Sequence, residues 1–192
     1  LNFALTQPQE DFVFSPEPHP AIIGGLGCVH PDTKIHTEHG LKRIADITSP
    51  TRVLSWNEIN QGFQYSFSSC AFQKGRDFLY EVTTKEGGFI ASGIHQVLTT
   101  DGYKSVFSLN VGTTLKLSAD NQSLITSVER LPTKDVYYDM QVLDTNNYVC
   151  ENGFIHHNSG KTKAGSTRLI FKMLQEPGIN TAYYMPTYDL LE

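Results

Sequence analysis

From residue 51 to residue 150 the apolar positions fall in short runs at strand spacing, not in helical stripes. The runs 51–56, 78–84, 89–91, 96–100, 112–117, 124–130, 136–143 and 147–150 are rich in β-branched and aromatic residues, which suit a pleated, half-buried surface. Turn-forming groups separate them: Asn60-Gln61-Gly62, Glu86-Gly87-Gly88, Asp101-Gly102, Ala119-Asp120-Asn121 and Asn152-Gly153. Only residues 40–47, Gly-Leu-Lys-Arg-Ile-Ala-Asp-Ile, suggest a helical turn or two. Short strands at regular intervals predict an all-β domain that closes on itself.

The two ends of the chain have a different pattern. Ala21-Ile22-Ile23 is a short apolar run that ends in glycines, as a buried strand does on entering a phosphate loop. Residues 163–176 place Ala164, Leu169, Ile170, Met173 and Leu174 near helical spacing, and Pro177-Gly178 stops them. Residues 181–185 then read as a strand closed by Pro186. Strand, glycine loop, helix, strand is the order of a P-loop β-α-β unit. Its loop is broken: Gly24-Gly25-Leu26-Gly27 stops at Cys28, and Ser159-Gly160-Lys161-Thr162 resumes after Asn158. Without residues 28–158 the text reads Gly-Gly-Leu-Gly-Ser-Gly-Lys-Thr, which satisfies G-x-x-x-x-G-K-[ST]. In such a joined loop the backbone at Gly24, Gly25, Gly27 and Gly160 cradles ATP phosphates, Lys161 reaches the terminal phosphates and Thr162 holds magnesium.

Charge removes several functions from consideration. The 192 residues carry a net charge of -5 with no lysine or arginine run, so a nucleic-acid partner is not expected. No apolar stretch approaches the roughly 18–20 residues that cross a bilayer, and the opening residues do not form a signal segment. A soluble, cytoplasmic, monomeric protein is expected. Cys28, Cys70 and Cys150 are an odd number with no C-x-x-C pair, which predicts free thiols and no metal site. His30, His36 and His39 form a loose cluster without cysteine or carboxylate at ligand spacing, and read as a solvated loop.

The residues at the two breaks carry chemistry. A thiolate at Cys28 can attack the Gly27 carbonyl through a five-membered ring and convert the amide to a thioester. That step is uphill and needs an acid near the departing nitrogen. Ser159 supplies a hydroxyl that can take over the acyl group. Asn158 can attack its own backbone carbonyl with its side-chain amide and release Ser159, with His157 giving or taking protons. The freed Ser159 amine then takes the acyl group, joining Gly27 to Ser159.

Residues 28–158 resemble an intein, a self-splicing domain of the Hedgehog/intein fold. Cys28 with Asp32-Thr33-Lys34-Ile35 and Gly40-Leu41-Lys42-Arg43-Ile44 is similar to the family's first motif. Ser92-Gly93-Ile94-His95 resembles its T-x-x-H motif, with Ser92 in place of threonine; the resemblance makes His95 the group that protonates or orients the first amide. Tyr138-Asp139-Met140 resembles Y-D-L, which gives Asp139 the part of the acid that helps thiol activation and transesterification. Asn146 stands where the family often has histidine, so Asn158 cyclisation leans on His157 with His156 as helper. The stretch from Gly102 to Tyr138 is too short for a homing endonuclease, so the resemblance implies a mini-intein with a horseshoe-like all-β fold, acting on its own flanks without a cofactor. The flanks 1–27 and 159–192 resemble the ATPase end of a phage terminase large subunit, with Thr181-Ala182-Tyr183-Tyr184-Met185-Pro186 following the loop and helix. That implies an infected bacterial cell as location. Two alternatives stay open: a P-loop ATPase with an insertion that is never removed, and a Hedgehog-like domain that cleaves without joining.

Overall fold

The computed structural model describes residues 11, 13–16, 28–158, 168–170 and 172–175 of the chain. The chain divides into two compact units, one of Gly25–Ser159 and one of Leu1–Gly24 together with Gly160–Glu192. In the second unit the described parts of 168–175 are helical, inside the helix predicted over 163–176. There the Arg168 guanidinium donates to the carbonyls of Val13 (3.0 Å) and Ser15 (3.3 Å), tying sequence from before the insert to sequence from after it. The predicted strands at 21–23 and 181–185 lie outside the described residues.

The first unit is built from strands: β1 (Lys34–Thr37), β2 (Gly40–Arg43), β3 (Thr51–Asn57), β4 (Gly62–Ser68), β5 (Phe72–Thr84), β6 (Gly87–Ser92), β7 (Gln96–Thr99), β8 (Gly102–Ser105), β9 (Thr114–Lys116), β10 (Gln122–Asp139), β11 (Asn147–Val149) and β12 (Ile155–His157). One sheet has the order β2-β1-β3-β4. The other runs β11-β12-β7-β9-β10-β5-β6, with β8 pairing β7. All named pairs are antiparallel. Val29, Ile35, Val82, Ala91, Ile125 and Phe154 belong to the main core, while Trp56, Leu98, Val149 and Ile155 form a second cluster. Each large apolar side chain so buried contributes about 1.5–3 kcal/mol.

Several elements depart from the sequence pattern for physical reasons. Residues 40–43, expected as part of a helical turn, form β2, because Gly40 at φ +94° closes a hairpin onto β1; only Ile44–Asp46 turns, as a 3-10 helix. Strand β4 escaped the pattern because it is inverted: Phe63, Tyr65 and Phe67 are exposed, while Ser66 and Ser68 are buried. Strand β5 begins at Phe72, not at residue 78. The predicted runs 124–130 and 136–143 contribute to one strand, β10, which crosses Pro132 by a register shift between Arg130 and Lys134. Proline lacks the ladder donor, so such a shift is where it fits.

Asn147 joins the two sheets. Its side chain accepts from Trp56 N (2.7 Å) and donates to the carbonyls of Trp56 (2.9 Å) and Thr145 (3.1 Å), all with no exposure of Asn147. Asn147→Ala leaves those buried backbone groups unmet and is expected to lower stability by about 2–4 kcal/mol, as read by urea denaturation of an unreactive chain.

Candidate functional site

The segment that opens the insert is clamped on both sides. Val29 exchanges backbone hydrogen bonds with Tyr138 (3.0 and 2.9 Å) and also bridges Ala91, while His30 N donates to Ile90 O at 2.9 Å. This fixes Cys28, fully buried, against the end of β6: Cys28 N donates to Ser92 Oγ (3.3 Å) and Ser92 N donates to Cys28 O (2.9 Å). Serine in the place of threonine thus keeps its hydroxyl contact with the first residue of the insert. The chain turns tightly after Ser92, with His95 N donating to Ser92 O at 2.9 Å, and delivers a fully buried His95.

The far end arrives by a second hairpin. Strand β11 pairs with β12 as Asn147↔His157, Tyr148↔His156 and Val149↔Ile155, and Gly153 at φ +81° makes the turn predicted at Asn152-Gly153. Because side chains alternate along a strand, the two histidines separate. His156 is fully buried and its Nδ1 lies 2.7 Å from His95 Nε2; His157 is half-buried, with its ring 4.7 Å from that of Tyr103. Asn158 follows with 3% exposure, its N–H donating to Asn146 O (2.8 Å) and its Nδ2 to Met140 O (3.3 Å). Its Oδ1 is buried without a hydrogen-bond partner among the described residues. Asn146, buried and in the left-handed region at φ +53°, turns its carbonyl onto the Asn158 amide.

Both ends therefore meet at residues 138–140. Tyr138 pairs with the residue after Cys28, and Met140 accepts from Asn158. Between them sits Asp139, 6% exposed, just past a register shift at Tyr137/Tyr138. One Asp139 oxygen accepts from Met140 N (2.9 Å) and the other meets Lys74 Nζ at 3.0 Å. Lys74 was not among the sequence candidates. The signal that could have found it is the β5–β10 register, which sets Gln73 opposite Tyr138, and the shorter strand predicted from residue 78 did not reach that far. Lys74 and Cys28 also act electrostatically on the Tyr137 hydroxyl, whose proton is held more tightly chiefly because of burial.

Burial is the leading cause of the shifts at Cys150, Tyr148 and His156. It raises the Cys150 thiol well above its ordinary range, and it raises the Tyr148 phenol, where the charges available to Cys150, Asp139 and Cys28 add to the effect. Burial, then the neighbouring His95, lowers His156 well below the ordinary 6.5, so it is neutral at physiological pH. Below 6.5 the unfolded chain binds a proton that the folded chain refuses. Stability is therefore expected to fall with acidity, by about 1.4 kcal/mol per pH unit for one such group. Denaturation midpoints between pH 7 and pH 5 test this, and His156→Phe removes that share of the slope.

Cys28, Ser92, His95, Asp139, His156 and Asn158 are all buried in this region, with His157 on the opposite face of β12. Ser159 and the loop residues Gly24, Gly25, Gly27, Gly160, Lys161 and Thr162 lie outside the described residues. Among the described residues the three cysteines form no disulfide, no cluster of histidine, cysteine or carboxylate side chains has the geometry to hold a metal ion, and no helix is long and apolar enough to cross a membrane.

No protein-family model and no curated protein matches the sequence. Solved structures do resemble the fold. A DnaB intein from Synechocystis sp. PCC 6803 has TM-score 0.64 at 23% identity, covering 69% of this chain and 99% of that one. The gp41-1 intein gives TM-score 0.60 at 25% identity over 69% of this chain and 98% of its own. A bacterial intein-like domain from Clostridium thermocellum gives TM-score 0.59 at 20% identity, over 68% and 98%. The architecture is that of the mostly β Hedgehog/intein fold, spanning nearly the whole of each of these structures.

Proposed function

We propose that residues 28–158 are a mini-intein that splices itself out and joins Gly27 to Ser159. The observation that carries this reading is the convergence of the two ends of the insert on residues 138–140, with Cys28 and Asn158 both buried there. An insertion that stays in place has no chemical use for that meeting of a thiol, a carboxylate, a histidine and an amide.

The steps balance on these groups. Cys28 Sγ forms a bond to the Gly27 carbonyl carbon as the Gly27–Cys28 C–N bond breaks, and the thiol proton ends on the departing amine. His95 protonates or orients that nitrogen, and Asp139, held beside Lys74, accepts from the thiol. Ser159 Oγ then displaces Cys28 sulfur from the acyl carbon, and its hydroxyl proton returns to that sulfur. Asn158 Nδ2 attacks the Asn158 carbonyl carbon, closing a succinimide and expelling the Ser159 amine, with His157 as proton carrier. That amine attacks the neighbouring ester and restores an amide. The hydrogen bond from Asn158 Nδ2 to Met140 O supports the cyclisation, because it restrains the nucleophilic nitrogen. Neither metal nor cofactor has a part in these steps.

Sequence supports a further reading of the product. The joined loop Gly-Gly-Leu-Gly-Ser-Gly-Lys-Thr fits a terminase-type ATPase, with Lys161 toward the ATP phosphates and Thr162 on magnesium. The unspliced chain, whose loop is interrupted, should turn over no ATP; turnover by a chain blocked with Cys28→Ala and Asn158→Ala would contradict that. Ser159→Ala distinguishes splicing from cleavage alone. It removes the acceptor, so splicing predicts separate flanks in place of joined ones, whereas a cleavage-only domain gives the same fragments with or without the substitution.

A further inference from the structure

We propose that His156 is a positioning residue for the chemistry at Cys28, acting through His95. The inference rests on reading the insert as a splicing element and assigns to His156 a task at the first junction, although it precedes the last junction in sequence.

The two imidazoles touch nitrogen to nitrogen, His95 Nε2 to His156 Nδ1 at 2.7 Å, and neither residue has any exposure. Their rings overlap with centroids 4.9 Å apart and planes inclined by 30°. His156 is itself fixed by two other rings: Tyr148 lies nearly parallel at 5.7 Å, and Phe89 stands edge-on at 4.8 Å. From His95 the connection continues to the first junction, because His95 N donates to Ser92 O and Ser92 Oγ accepts from Cys28 N. One line of contacts thus leads from β12 to Cys28.

A contact between two neutral imidazoles holds one hydrogen, and its position decides both tautomers. If His95 Nε2 carries it, the hydrogen of His156 must sit on Nε2. That atom is buried without a hydrogen-bond partner among the described residues, so this arrangement buries an unmet donor. If His156 Nδ1 carries it, the hydrogen of His95 must sit on its own Nδ1, and that atom matches His156 Nε2 in burial and hydrogen bonding among the described residues, so burial does not choose between the two arrangements. The proposal requires the arrangement with His156 donating into His95 Nε2, which puts the hydrogen of His95 on Nδ1. His95 then presents a donor on the nitrogen outside the pair, the form required to give a hydrogen to the Cys28 amide nitrogen as it leaves. The depressed basicity of His156 agrees, since a neutral partner cannot force a second hydrogen into the contact.

The test uses the full 192-residue chain with Asn158→Ala to hold the precursor, and adds His156→Phe or His156→Asn. Phenylalanine keeps the ring packing without a nitrogen, and asparagine restores a donor near the position of Nδ1. Two readouts are taken: the rate at which dithiothreitol releases residues 1–27, and the tautomer of His95 from imidazole 15N shifts. The expected result is Nδ1–H on His95 in the parent, release slowed at least about tenfold by His156→Phe with loss of the single tautomer, and recovery to within about threefold in His156→Asn. Nε2–H on His95 in the parent, or unchanged release in a folded His156→Phe chain, would overturn the inference. Should His156→Phe not fold, the parent tautomer and the asparagine chain decide: Nε2–H, or release no faster than a tenth of the parent's, overturns it. No release from the parent is a different result, because it sinks the splicing reading and this inference with it.

Discussion

A chain carrying Asn158→Ala is expected to keep residues 28–158 attached to the far flank, while a thiol reagent still releases residues 1–27 from it. The expected loss of far-flank release is complete on the timescale of expression, at least about a thousandfold, because alanine has no nitrogen with which to displace Ser159. A thousandfold corresponds to about 4 kcal/mol of barrier, and the missing nucleophile accounts for more than that. The first junction is expected to remain active because its groups do not need the amide of Asn158: Cys28 is held by Ser92, and Val29 by Tyr138 and Ala91. Electrophoresis after incubation with and without dithiothreitol gives the answer. Absence of thiol-dependent release would contradict the thioester step.

The complementary change, Cys28→Ala, separates the junctions from the other side. Joining and thiol-dependent release are expected to vanish, since the methyl group can form no thioester, whereas slow scission between Asn158 and Ser159 continues. The fold should survive. Cys28 is buried without a disulfide, and exchanging a thiol for hydrogen in a core costs on the order of 1 kcal/mol. Intact-mass measurement of the released far flank over several hours checks this outcome. Joined flanks in such a chain would exclude Cys28 as the nucleophile.

The candidate residues of the site were legible in the sequence, and the part that needed the structure was their assembly. Cys28 and Asn158 stood out because a broken glycine loop marked their positions, and His95 and Asp139 because neighbouring residues matched motifs. Turn signals at Asp101-Gly102 and Asn152-Gly153 were readable as well, and both glycines adopt positive φ. Strand β4 was missed because its aromatic residues face outward and its serines inward, the reverse of the usual burial pattern. Lys74 could not be read as a partner of Asp139 because their approach depends on the register of two long strands, which local periodicity does not fix. The division between His156 and His157 depends on the same point. Adjacent residues in a strand face opposite ways, and only the placement of β12 beside β7 shows that His156 is the one directed to His95.

The most direct measurement is the mass of every species formed when the unaltered chain is expressed and incubated, followed by sequencing of the smaller product. Splicing predicts residues 28–158 as one piece, one water lighter than its free acid because it ends in the Asn158 succinimide. It also predicts a second piece in which residues 1–27 and 159–192 share a peptide bond between Gly27 and Ser159. A stable full-length chain, or flanks found only as separate fragments, would contradict the account.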